Sequence, residues 1–162
     1  MSKTHPLPEE NVWDYPRPPL LEPVHQSLRV VFNGIEIANT TAAHRILETS
    51  HPPTYYIPKR DVQMAYFSEA MGGSTFCEFK GLARYWTVNV EDKVSEKAAW
   101  SYPNPTHTYA DITDDLSFYA SKVDTCFVGD IQVLAQQGDF YGGWITPNLK
   151  GPFKGGPGTS GW

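Results

Sequence analysis

Arg29-Val30-Val31-Phe32-Asn33-Gly34-Ile35-Glu36-Ile37-Ala38 sets two β-rich runs on either side of Asn-Gly. That pair best tolerates positive φ at both centres of a two-residue turn, so the stretch reads as a β-hairpin. The same grammar returns at Thr125-Cys126-Phe127-Val128-Gly129-Asp130-Ile131-Gln132-Val133-Leu134, with Gly-Asp at the turn. A third hairpin is expected where Thr75-Phe76-Cys77-Glu78-Phe79-Lys80 and Ala83-Arg84-Tyr85-Trp86-Thr87-Val88 flank Gly81-Leu82. Residues 54–58 and 98–102 read as further extended runs bounded by proline. Two segments break the β pattern. Residues 61–70 fit a short helix, and 112–122 read as the best helix, with Ile112, Leu116, Tyr119 and Val123 at spacings of three to four and Asp111 as cap. The fold class expected is mainly β: a compact antiparallel domain with one or two short helices and an extended N-terminal arm.

The 162 residues suit one domain with a core of its own. Within 1–27, Pro6, Pro8, Pro16, Pro18, Pro19 and Pro23 remove backbone donors and favour extended conformations, so this segment is an arm. Trp13 and Tyr15 are expected to dock it on the body, residues 28–162. The stretch 138–162 holds eight of the 13 glycines but interleaves them with Phe140, Tyr141, Trp144, Phe153 and Trp162. Flexible tails are not normally aromatic, so it is expected to pack.

A net charge of -5 with scattered basic residues argues against nucleic acid as a partner. No window approaches the ~18 apolar residues of a membrane span, and the arm has no signal-peptide apolar core; a soluble cytoplasmic protein is expected. Cys77 and Cys126 form no C-x-x-C pair and read as buried thiols. His5, His25, His44, His51 and His107 follow no ligand spacing, so neither metal nor cofactor is expected. The glycine run 151–158 lacks the Lys-Ser/Thr order of a phosphate loop. Gly72-Gly73-Ser74 resembles a nucleotidyltransferase turn, but the nearest acidic pair, Asp114-Asp115, lies about forty residues on, too far for the paired metal carboxylates of that chemistry.

A two-residue loop at Gly81-Leu82 would set Lys80 opposite Ala83, Glu78 opposite Tyr85 and Cys77 opposite Trp86. Glu78 and Lys80, two apart on a strand, then share a face with Phe76 and Tyr85. They are the candidate catalytic pair, or else a solvated face with a weak ion pair. Tyr55, Tyr56, Tyr85, Trp100, Tyr102, Tyr141 and Trp144 lie in short aromatic segments, most of them bounded by Pro or Gly. They suit a pocket for a planar or polar metabolite such as a nucleoside or nucleotide, with Lys154 as a further contact, and equally a leucine-poor core. Three function classes stay open. One is a small-molecule binding module. Another is an enzyme with Glu78 as general base and Lys80 as anion clamp, aided by Lys59, Asp61 and Lys154. The last is a subunit whose exposed rings make a homodimer.

From Val30 onward the order of motifs resembles the family called domain of unknown function 427, also given a nucleotidyltransferase-like label. The matching words include Phe32-Asn33-Gly34, Glu48-Thr49-Ser50-His51-Pro52-Pro53-Thr54-Tyr55-Tyr56-Ile57-Pro58, Ala99-Trp100-Ser101-Tyr102-Pro103, Phe140-Tyr141-Gly142-Gly143-Trp144 and Gly151-Pro152-Phe153-Lys154-Gly155-Gly156-Pro157-Gly158. The resemblance implies a β-tent-type domain similar in shape to methionine sulfoxide reductase B and the drug-binding domain of cereblon. Zinc, held in those relatives by cysteine pairs, does not carry over to a chain without such pairs. The label adds a nucleotidyltransferase-type activity as the alternative enzymatic reading.

Overall fold

The computed structural model describes residues 7–70, 80–138 and 141–162, and the backbone of 75–77. Residues 1–6 of the arm, Gly72-Gly73-Ser74, Glu78, Phe79 and Phe140 lie outside the described residues, as does the side chain of Cys77.

In chain order the strands are β1 (Glu10–Asn11), β2 (Leu20–Pro23), β3 (Leu28–Phe32), β4 (Ile35–Thr40), β5 (His44–Leu47), β6 (Thr54–Tyr56), β7 (Phe67–Glu69), β8 (Thr75–Cys77), β9 (Gly81–Val90), β10 (Lys93–Ser101), β11 (Ser117–Phe118), β12 (Thr125–Val128), β13 (Ile131–Gln132), β14 (Leu134–Ala135), β15 (Trp144–Ile145) and β16 (Leu149–Lys150). β13, β12, β3 and β4 form one antiparallel sheet in that order; β11, β10, β9 and β7 form another, with β8 also on β9. β2, β5 and β6 make a third, and an isolated bridge between Ile57 and Leu116, with both backbone bonds at 2.8 Å, ties it to the β11 side of the second.

The opening hairpin forms as its turn chemistry requires. Phe32 pairs with Ile35 around Asn33 (φ 50°) and Gly34 (φ 76°), both left-handed. Val128 pairs with Ile131 around Gly129 and Asp130, where positive φ falls on Gly129 alone, and β12 lies directly beside β3. The longest hairpin, β9 with β10, turns at Glu91-Asp92 with Glu91 at φ 55°.

Three expectations are corrected. The register of β8 on β9 pairs Thr75 with Ala83 and Cys77 with Gly81, so the chain turns before Gly81-Leu82; Trp86 lies opposite Glu69 of β7, not Cys77. Residues 112–122 are not one helix but the end of a 3-10 segment (His107–Ile112), the strand β11 and a 3-10 turn (Ala120–Lys122). Residues 61–70 likewise resolve into 3-10 turns and β7.

Strand alternation divides the apolar residues between two cores. Val30, Tyr55, Ile57, Val88, Val90, Phe118 and Trp144 belong to the main one. Tyr56, Ala83, Trp100, Tyr102, Tyr109 and Tyr119 belong to the second. The arm packs on the body: Val12 and Tyr15 are buried against Leu47, while Trp13 is 40% exposed and meets Trp162 edge-on at 5.2 Å. The 141–162 segment is packed too, with Trp144 fully buried. Cys126 is a buried free thiol whose ionisation burial pushes up.

Candidate functional site

Adjacent residues on a strand face opposite ways, so Tyr55 and Tyr56 part company in β6. Tyr55 packs on Trp144 at 5.1 Å between ring centres in the main core, and Trp144 Nε1 donates to the Phe118 carbonyl at 2.8 Å. Both rings are buried. Tyr56 meets Trp100 at 6.3 Å and Tyr102 at 6.4 Å in the second core; Trp100 in turn meets Tyr119 at 4.6 Å, and half-buried Tyr85 packs against the same cluster. Gly142, at φ 74°, lets the chain run against the Trp100 indole; a Cβ there would stand 2.6 Å from its Cζ3 and 3.2 Å from Tyr119 Cδ1. The structure thus joins Tyr56, Tyr85, Trp100 and Tyr102, holds Tyr141 next to them through Gly142, and sets Tyr55 and Trp144 apart.

Lysines border this aromatic cluster. Lys80 Nζ lies 5.8 Å from the Tyr102 ring centre, Lys97 Nζ 5.8 Å from Tyr85, Lys122 Nζ 4.9 Å from Tyr119 and Lys154 Nζ 5.4 Å from Tyr141. An ammonium over a ring face gains about 0.5–1 kcal/mol at an exposed site. Lys97 takes up this position within the irregular register between Ser95 and Ala99, at a left-handed φ of 52°. Among the described residues, no Asp or Glu carboxylate lies within ion-pair distance of Lys97, Lys122 or Lys154, and Lys154 Nζ lies 3.2 Å from the main-chain oxygen of Trp162. Glu78, the other half of the expected catalytic pair, lies outside the described residues. Lys59 and Asp61 are placed elsewhere: Lys59 sits 5.0 Å over Trp86, which packs on the main core, and Asp61 accepts from Thr40 Oγ1 at 2.7 Å.

Three motif segments meet at one end of the cluster. Lys154 N donates to Ser50 O (2.8 Å), Trp144 N to Pro53 O (2.8 Å) and Gln136 Nε2 to Lys154 O (2.7 Å), while Gln136 Oε1 accepts from Gly143 N (3.0 Å). His51 is thereby set 5.2 Å, ring to ring, from Tyr141, the ring under Lys154. Its Nδ1 is 3.0 Å from the Thr49 carbonyl. A carbonyl can only accept, so Nδ1 carries the hydrogen and the neutral ring presents Nε2 as an acceptor. Burial holds the imidazole below its usual pKa, helped by the Lys154 and Arg17 charges and opposed by Glu48 and the Thr49 bond. Sequence reasoning weighed His51 only as a metal ligand and missed it here; its place before Pro52-Pro53, inside a motif word, was the available signal.

A cavity of about 160 Å³ opens where the arm meets the body, lined in part by Glu10, Glu22, His25, Arg45, Tyr55 and Asn148. Arg45 grips both Glu10 oxygens (Nη1 to Oε1 3.2 Å, Nη2 to Oε2 2.8 Å) and Glu22 (Nε to Oε2 2.8 Å), and Tyr15 donates to Glu10 at 2.6 Å. These bonds occupy the guanidinium and staple arm to body. No group of three or more His, Cys, Asp or Glu side chains among the described residues is arranged to hold a metal. No helix of the described residues is long and apolar enough to cross a membrane.

The profile of the family described as Domain of unknown function (DUF427) matches residues 20–129, from β2 through the turn after β12. No curated protein matches the chain. The match covers the second sheet, the first sheet except β13, and the second core, and on it the chain belongs to the DUF427 family.

Proposed function

We propose that this protein binds a small, flat, anionic metabolite of the nucleotide class on the lysine-bordered face of its second core. The observation that carries the reading is the set of four tyrosines, Tyr85, Tyr102, Tyr119 and Tyr141, each with a lysine ammonium over its ring, in a chain whose net charge is -5. Lys97 and Lys122, with no Asp or Glu carboxylate at ion-pair distance among the described residues, attract anions, and ring faces accept flat partners by stacking. Tyr85 and Tyr141 are only half-buried, so their rings are the ones a ligand reaches first. Trp100, close behind them, reports the event through its fluorescence.

The test is a fluorescence titration with a panel of nucleoside monophosphates, diphosphates and the matching nucleosides at two ionic strengths. Saturable quenching is expected, tighter for the phosphorylated members and weakened by salt. The double variant Lys97→Gln, Lys122→Gln should weaken it by about tenfold or more, the worth of a lost charged contact. No saturable response to any member of the panel overturns the reading.

A further inference from the structure

We infer that the cavity between arm and body is a binding site for a small primary amine that also carries a hydroxyl, with the ammonium on Glu22 and the hydroxyl oxygen on Tyr55. The inference is independent of the nucleotide-binding reading, whose rings lie at the second core. Its basis is one row of the β2–β5–β6 sheet. Glu22 is paired with Arg45 across β2 and β5, and Arg45 with Tyr55 across β5 and β6, so the three side chains stand side by side on one face. All three line the cavity of about 160 Å³, and Glu10 of the arm joins them through Arg45.

Arg45 has little to offer an anion. Its Nε donates to Glu22, Nη1 and Nη2 donate to the two oxygens of Glu10, and Nη2 also lies 2.8 Å from Glu22 Oε2. With His25 counted neutral, two carboxylates against one guanidinium leave the cavity wall with a negative charge in excess. Glu10 commits both oxygens to Arg45 and one of them also to Tyr15, whereas Glu22 uses Oε2 alone. Glu22 Oε1 makes no bond among the described residues, and this side chain, 34% exposed, is the more open of the two carboxylates. A cation is therefore the complement, and partial burial strengthens its attraction over the value in water. Tyr55 sets a second requirement. The residue is only 4% exposed, and burial pushes its ionisation up, so the phenol keeps its hydrogen beside Arg45. Among the described residues that hydrogen meets no acceptor. An ammonium has no lone pair to give it, but a hydroxyl has. Leu7, Pro23 and Val128 supply apolar wall for the carbons between, and the volume takes about five non-hydrogen atoms at the ~30 Å³ share of a water.

Isothermal titration calorimetry compares three ligands of equal size: aminopropanol with its groups at opposite ends, butylamine, which lacks the oxygen, and the terminal propanediol, which lacks the charge. On the unmodified protein the amino alcohol should bind about tenfold tighter than the diol and about fivefold tighter than butylamine, and salt should weaken both amines. Glu22→Gln keeps the Arg45–Glu10 clamp and should weaken both amines by about tenfold or more. Tyr55→Phe, which keeps the ring against Trp144, should bring the amino alcohol down to butylamine and leave butylamine unchanged. Absence of saturable binding by the amino alcohol, a diol or butylamine that binds as tightly, or affinities that survive both variants overturns the site. None of these outcomes bears on nucleotide binding at the lysine-bordered face.

Discussion

Tyr56 is fully buried, and its hydroxyl has no hydrogen-bond partner among the described residues. Ser117 Oγ is in the same state, and the Ile57–Leu116 bridge puts these two residues on flanking positions of neighbouring strands, with Trp100 paired to Ser117. A buried polar group left unpaired costs about 1–3 kcal/mol, so removing it while keeping the ring relieves the fold. Tyr56→Phe is therefore expected to raise stability by about 1 kcal/mol in urea unfolding. A comparable loss would mean that the phenol is paired in solution.

At the scale of the element, two glycines with nearly equal φ separate conformational from steric cost. Gly34, at 76° in the β3–β4 turn, has nothing within 4 Å of where a Cβ would stand. Gly34→Ala should cost only the left-handed penalty of about 1–2 kcal/mol. A Cβ at Gly142, whose φ is 74°, would stand 2.6 Å from Trp100 Cζ3 and 3.2 Å from Tyr119 Cδ1. Gly142→Ala adds an overlap that the close-packed cluster cannot absorb, so it should cost at least about 1–3 kcal/mol more and disturb the near-UV signal of the rings, which Gly34→Ala leaves intact. Equal losses from the two changes would contradict the packing of Gly142 on Trp100.

For the molecule as a whole, two carboxyls give pH dependences of opposite sign. Burial works to raise the Glu10 carboxyl, but hydrogen bonds from Arg45 and Tyr15 and the Arg45 charge outweigh it and hold the group below its ordinary range. Its stabilisation of the arm on the body is complete at neutral pH and is lost as pH falls through the lowered value. Asp115 is displaced the other way, to about 6, by burial and by the charges of Asp114 and Asp111, with Arg60 opposing. The folded chain then holds that proton more tightly than the unfolded one, so stability falls as pH rises from 3.8 to about 6. Asp115→Asn should raise the thermal midpoint at pH ~7 and flatten the profile in that window, whereas Glu10→Gln should lower the midpoint at neutral pH and remove the acid-side loss. An unchanged profile in Asp115→Asn would show that the carboxyl titrates normally.

What is decided within a few bonds was legible in the residues alone. The turns at Asn33-Gly34 and Gly129-Asp130 were readable because positive φ is a property of the residues that adopt it, and the mainly β class followed from them. The candidate site was readable as residue types, rings with lysines, but not as a grouping. Tertiary structure alone settled that Tyr55 and Tyr56 serve different cores and that His51 reaches Tyr141 across ninety positions. It also overrode the helical spacing of 112–122, because Ile112 and Tyr119 are claimed by one core and Leu116 by the other, with its backbone bonded to Ile57. A turn needs only its own residues. A register, a face or a contact between distant segments takes its free energy from partners that adjacency in the chain does not name.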